Sequence, residues 1–83
     1  MNKIHDLKIW PKYYNQILIG TKTFEVRKDD RNFKKGDELL LNEWNPETQD
    51  YTGRAITAII VSKLEGGQFG IKQGYCVMGI RTI

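Results

Sequence analysis

Hydrophobic and polar positions repeat with two different periods along this chain, and the switches between them mark its elements. His5 to Ile9 alternates, with Leu7 and Ile9 on one side, which predicts a short strand. Pro11 suits the first turn of a helix, where its fixed φ fits and its missing N–H is not needed. Tyr14, Ile17 and Leu18 then recur at helical spacing, and Gly20 can take the left-handed conformation that ends a helix, so a helix is expected over Pro11–Ile19. From Thr21 to Lys28 the period returns to two: Phe24 and Val26 share one face, Thr23, Glu25 and Arg27 the other. The apolar pair is expected to face the core. Asp29-Asp30-Arg31-Asn32 and Lys35-Gly36-Asp37 read as turns. Glu38 to Trp44 is a strand around Leu39-Leu40-Leu41, Asn45-Pro46-Glu47-Thr48 opens a hairpin, and Gly53 to Leu64 is a long β-branched strand. Glu65 to Gly74 holds four glycines and reads as a loop with room for one helical turn, before a last strand from Tyr75 to Ile80.

The order is therefore β-α-β-β-β-β in a single α+β domain spanning 1–83. One short helix cannot cover a flat sheet on both sides, so the expected solution is a strongly bent sheet or β-barrel of five or six strands with the helix against one end. Phe24, Val26, Leu40, Ile59, Val77 and Ile80 are the expected core.

Composition narrows the classes. At 83 residues, 40% apolar and 28% charged, the chain is an ordinary globular domain with a small core. It has no apolar run of membrane-spanning length, and its first residues lack the apolar stretch of a secretion signal, so no membrane association is expected. One cysteine, Cys76, permits no internal disulfide, and one cysteine with one histidine excludes a zinc site of the usual four-ligand cysteine and histidine kind. A reduced, cytoplasmic protein without metal or cofactor is the expectation. Cys76 reads as a small core residue and His5 as a non-catalytic one.

Net charge is only +3, but it is segregated. Residues 1–36 carry nine Lys or Arg against four acids, a local +5, and residues 37–52 carry five acids and no base, a local −5. Many of these lysines read as solvated surface, yet a segregated positive region attracts phosphate. Basic and aromatic residues also interleave, as in proteins that stack single-stranded bases: Trp10, Tyr13 and Tyr14 near Lys8 and Lys12, Phe33 near Arg31, Tyr51 near Arg54. Trp10, Tyr14 and Phe33 equally suit a core, which leaves Tyr13 and Tyr51 as the exposed candidates.

Gly20-Thr21-Lys22-Thr23-Phe24-Glu25-Val26-Arg27 spells G-x-K-x-x-E-x-R. With His5-Asp6-Leu7-Lys8 before it, Asp29 to Phe33 and Gly36-Asp37 after it, and Tyr51-Thr52-Gly53-Arg54 further on, the chain resembles the ASCH domain (activating-signal-cointegrator homology) of the PUA-like superfamily, in a small bacterial and phage branch. The resemblance covers nearly the whole chain. It implies a five- or six-stranded barrel with a cleft beside the helix, lined by the motif residues, and a role in RNA binding. Some small ASCH members deacylate acetylated cytidine with a lysine, a threonine and a glutamate, and another is a ribonuclease.

Three function classes follow. The first is an RNA- or nucleotide-binding module: Lys22, Glu25 and Arg27 border one concave surface, joined by Lys8, with Arg31, Tyr51 and Arg54 as further ligand contacts. Arginine offers bidentate donors, and a carboxylate accepts from base amines or ribose hydroxyls. Alternatively, Glu25 and Arg27 pair with each other and brace the sheet. The second class is a hydrolase using Lys22, Glu25 and Glu65, the last in place of the family's distal glutamate. Here the chain departs from the hydrolytic members, which have a threonine nucleophile where Glu25 stands. The third is a protein-interaction domain whose acidic segment 37–50 faces a partner.

Overall fold

The computed structural model describes residues 2–83. Its elements are β1 (Ile4–Ile9), α1 (Pro11–Leu18), β2 (Phe24–Lys28), β3 (Glu38–Asn45), β4 (Asp50–Glu65) and β5 (Tyr75–Thr82). All five strands form one sheet in the order β1-β3-β4-β5-β2. β1 runs parallel to β3, and the remaining pairs are antiparallel. The glycine-rich segment between β4 and β5 is loop without a helical turn, tied by an isolated bridge between Gln68 and Ile71.

The bend comes from β4. Its first half pairs with β3 and its second half with β5, and the register slips between Ile60 and Ser62. A bulge of this kind bends a strand and increases its twist. Gly79 lies opposite Ser62 at the slip, and a Cβ there would run into the Ser62 hydroxyl, so glycine allows the close approach. The sheet thus curls into a half-barrel. It does not close: the expected barrel is open between β1 and β2, the two edges of the sheet. Two side chains span that seam, with Arg27 Nη2 donating to Lys8 O at 2.6 Å and Arg31 Nη1 to Asp6 O at 2.6 Å.

The core fills the inside of the curl with Leu7, Ile9, Leu39, Leu41, Ala58, Ile60, Cys76, Met78 and Ile80. Tyr14 and Ile17 of α1 and Phe33 from the loop after β2 pack on top. Each large member contributes about 1.5–3 kcal/mol on burial. Ile80 was expected there. Leu40, Ile59 and Val77 are instead half-buried, one residue out of phase with the true core row. The larger correction is β2: Phe24 and Val26 are 47% and 53% exposed, while Glu25 is buried at 4%. Glu25 lies opposite Met78 and Arg27 opposite Cys76, both fully buried, so the charged row points into the curl.

The acidic segment is divided between the interior and the surface, where Glu47 and Asp50 are exposed. Asp37 and Glu43 are buried and paired internally, so residues 37–50 do not present a continuous acidic face. Among the described residues, no helix is long and apolar enough to cross a membrane.

Candidate functional site

The cleft is assembled where the helix ends. Trp10 caps α1 in an extended conformation (φ −71°, ψ 151°) and its carbonyl accepts from Tyr13 N and Tyr14 N, which leaves the indole outside the core. At the other end Gly20 takes a φ of +84°; Gly20 N donates to Ile17 O and Thr21 N to Gln16 O. These two bonds make a Schellman turn, which fixes the chain direction leaving the helix. Lys22 N then also donates to Gln16 O, at 3.1 Å, so Lys22 is anchored by its backbone before β2 begins.

From there Lys22 Nζ donates to Phe24 O at 2.7 Å and to Glu25 Oε1 at 2.5 Å. Its ammonium lies 4.9 Å from the centre of the Phe24 ring and 5.7 Å from that of Tyr13. Arg27 Nε donates to Glu25 Oε2 at 2.9 Å. Each carboxylate oxygen of Glu25 therefore holds one cation. The carboxylate orients Lys22 and Arg27 and leaves the triad with one net positive charge. Among the described residues, Arg27 Nη1 has no hydrogen-bond partner.

Around this triad opens a cavity of about 480 Å³ lined by Lys8, Ile9, Trp10, Tyr13, Lys22, Phe24, Glu25, Val26 and Arg27. Its rim carries exposed apolar side chains, with Trp10 52% exposed and Phe24 and Val26 about half exposed. Since β2 is an edge strand, residues from both of its faces reach the cleft. The arrangement can hold a planar group between aromatic side chains and an anionic group against Lys22, Arg27 and Lys8.

Lys8, Lys22, Glu25 and Arg27 thus come together in one cavity. Arg31 and Tyr51 line a neighbouring one, and Arg54 a third. Glu65 does not join them: it lies on β4 with its side chain largely exposed, 3.3 Å from Lys63 Nζ. Thr23, the hydroxyl nearest to Glu25 in the sequence and so the one available stand-in for the family's threonine, does not line the cleft either. The expected hydrolytic set is therefore not assembled, because Glu65 sits on a strand separated from β2 by β5.

Three polar clusters brace the surroundings. Glu43, 2% exposed, accepts from Arg54 Nε and Nη2, both at 2.9 Å, and from Thr52 Oγ1 at 2.6 Å. The Arg54 guanidinium holds the Glu43 carboxyl below its ordinary value, against the opposing effect of burial. Arg54 also stacks 4.5 Å over Tyr14 and donates to Asn15 Oδ1, tying the helix to the β3–β4 hairpin. His5 Nε2 donates to Asp37 Oδ2 at 2.8 Å, with the ring edge-on to Phe33. Burial alone would raise the Asp37 carboxyl, but hydrogen bonds from His5, Lys3 N and Lys34 N hold it below its ordinary value. Lys63 Nζ binds Asp29 Oδ2 at 2.8 Å and Phe33 O at 2.9 Å. Burial raises the Cys76 thiol, in keeping with an inert core residue. Among the described residues no group of three or more His, Cys, Asp or Glu could hold a metal ion.

The reading from sequence missed the buried pairs His5–Asp37 and Glu43–Arg54. The first had a signal: the alternation that places Leu7 and Ile9 inward also places His5 inward. The second joins residues eleven apart across a hairpin and carried none.

Residues 4–80 match the family described as "Domain of unknown function (DUF3850)". A relative in Escherichia phage P2, the "Uncharacterized 12.9 kDa protein in GpA 3'region", is 45% identical over 60 residues, which cover 72% of this chain and 53% of that protein. The chain thus spans about half the length of the curated relative it matches.

Proposed function

The chain belongs to the DUF3850 family, and from its cleft we propose that it binds a nucleotide unit, free or within RNA, as a module without fast turnover. The observation that carries this reading is the cleft's composition: two cations fixed by one buried carboxylate, inside a rim of half-exposed Trp10, Tyr13 and Phe24. Aromatic faces stack any base, and anchored cations bind the phosphate next to it. A site meant for a purely apolar ligand has no use for the charges, and one meant for inorganic phosphate has none for the rings.

The ASCH resemblance and a PUA-like version of the curled sheet fit the same reading, as do the element order and a helix at the open seam. A cytoplasmic location fits the one reduced, buried cysteine. Hydrolysis is disfavoured by the engagement of both Glu25 oxygens and by the absence of Thr23 and Glu65 from the cleft.

The test is binding of labelled single-stranded RNA and of nucleoside monophosphates to the wild type and to Lys22→Ala and Arg27→Ala. Loss of a charge-assisted contact costs about 1.5–3 kcal/mol, so each variant should bind at least about tenfold more weakly. Incubation with acetylated cytidine should give no product. Unchanged binding in both variants, or deacylation lost with Lys22, would overturn the proposal.

A further inference from the structure

The groove continues past Arg27. A second cavity, of about 270 Å³, shares Lys8 and Arg27 with the first and reaches Asp6, Arg31, Asn42 and Tyr51. A third, of about 300 Å³, shares Asn42 and Tyr51 with the second and ends at Arg54. The shared side chains join the three into one track that crosses the seam between β1 and β2.

Resting on the nucleotide-binding reading above, we propose that the cavity at Tyr51 is a second base subsite, and that the ligand is a single strand of at least two nucleotides whose linking phosphate lies at Lys8 and Arg27. The order of chemistry along the track is the first support. Aromatic rings (Trp10, Tyr13, Phe24) come first, then two cations on the wall common to both cavities, then a further ring, Tyr51. A strand of nucleic acid repeats base, phosphate, base in the same way.

Tyr51 itself is the second support. Its ring is 58% exposed on the hairpin, opposite Trp44 across the strands. The Lys8 ammonium lies 4.5 Å from the centre of the Trp44 ring and 5.9 Å from that of Tyr51. The cation on the shared wall is thus already held beside the second ring. The third support is the mounting of the arginines. Arg27 and Arg31 are pinned to the carbonyls of Lys8 and Asp6, two residues apart on one strand edge and so about 6.5–7 Å from each other. Pinned donors lose little freedom on binding.

The floor of the second cavity differs from the first. Asn42 Nδ2 donates to Asp6 Oδ1 at 3.2 Å, and the Asp6 carboxylate repels phosphate. This floor suits the donor edge of a base, with the linking phosphate held at Lys8 and Arg27. A mononucleotide occupies the first cavity alone and leaves Tyr51 unused.

The experiment uses the full chain and a labelled, randomised single-stranded RNA hexamer, followed by fluorescence anisotropy. Competitors are mixed nucleoside 5′-monophosphates and mixed dinucleoside monophosphates. A dinucleoside monophosphate carries no more charge than a mononucleotide, so any gain comes from the second nucleoside. Stacking of one base supports a gain of about tenfold for the dinucleoside. In Tyr51→Ala, with its fold checked by circular dichroism, that gain should vanish, so that the dinucleoside competes no better than the mononucleotide. Equal competition by both classes in the wild type, indifferent to Tyr51→Ala, overturns the second subsite and leaves the nucleotide reading standing. Failure of every probe to bind overturns both.

Discussion

Glu25 is the residue on which the site depends, and its part is to hold rather than to react. Buried carboxylates are costly unless paired, and Glu25 is paired twice. Glu25→Gln should leave two cations facing a neutral amide. Because Lys22 and Arg27 keep some access to water, the loss is smaller than for a fully buried pair: about 1–2 kcal/mol, read from the urea midpoint. Ligand affinity should fall as well, since neither cation stays in place. The sequence showed this triad as a motif and left Glu25 two parts, ligand contact or partner of Arg27; the second is the one observed. Only the geometry places both of its oxygens on Lys22 and Arg27.

At the same scale, Asp37 and Glu43 set the response to acid. Both carboxyls lie below their ordinary values in the folded chain. As pH falls through about 4, the unfolded chain takes up protons that the native state does not. Their stabilisation is therefore complete near neutrality and is lost as pH falls toward the depressed folded values. The urea midpoint should drop between about pH 5 and 3. Asp37→Asn should lower it at pH 7 by the equivalent of about 2 kcal/mol and flatten the acid dependence. An acid dependence unchanged by Asp37→Asn would show that this carboxylate is not a main contributor.

Among the elements, β2 is the most instructive. Its alternation was legible, but which face turned inward was not. The usual rule puts Phe24 and Val26 inside, and it fails because Lys22 and Arg27 neutralise Glu25 on the inner row. The cleft in turn gives Phe24 and Val26 a use outside. The other strands could not correct the error: Leu39-Leu40-Leu41 of β3 and Tyr75-Cys76-Val77-Met78 of β5, the strand that pairs with β2, are apolar in both phases, so neither declares its buried face. The helix, by contrast, was legible to within one residue, because Pro11 and Gly20 act locally at its two ends. The corrected faces make a direct prediction. Val26→Thr should change stability by no more than about 0.5 kcal/mol, as exposed substitutions do. Leu39→Ala, in the core row, should cost about 2–5 kcal/mol in the same urea experiment. The opposite ranking would restore the original assignment.

At the scale of the whole molecule, function and fold meet at the seam. A five-stranded sheet that curls without closing leaves two edges, and here arginine side chains bridge them in place of a sixth strand. Lys8, Lys22, Arg27 and Arg31 of the basic stretch 1–36 border this opening, while Asp37 and Glu43 are buried and paired with other side chains. Charge segregation was visible in the sequence. Its concentration at a groove was expected only through the ASCH resemblance and not from the charge pattern, because it depends on β1 and β2 being brought together from opposite ends of the strand order. If about three cations contact phosphate, the slope of log affinity against log salt for single-stranded RNA should be about −2.

The most direct test is a two-dimensional NMR titration with the randomised RNA hexamer, following the two tryptophan indole N–H signals and the backbone amides. Trp10 lies on the rim of the main cleft, and Trp44 lies under Lys8 beside the second cavity. Binding as described here shifts the Trp10 indole together with the amides of Tyr13 and of 22–27, and it does so less in Lys22→Ala. A titration that leaves Trp10 and 22–27 unmoved, or that moves only the outer face of β4 and β5, would contradict the account.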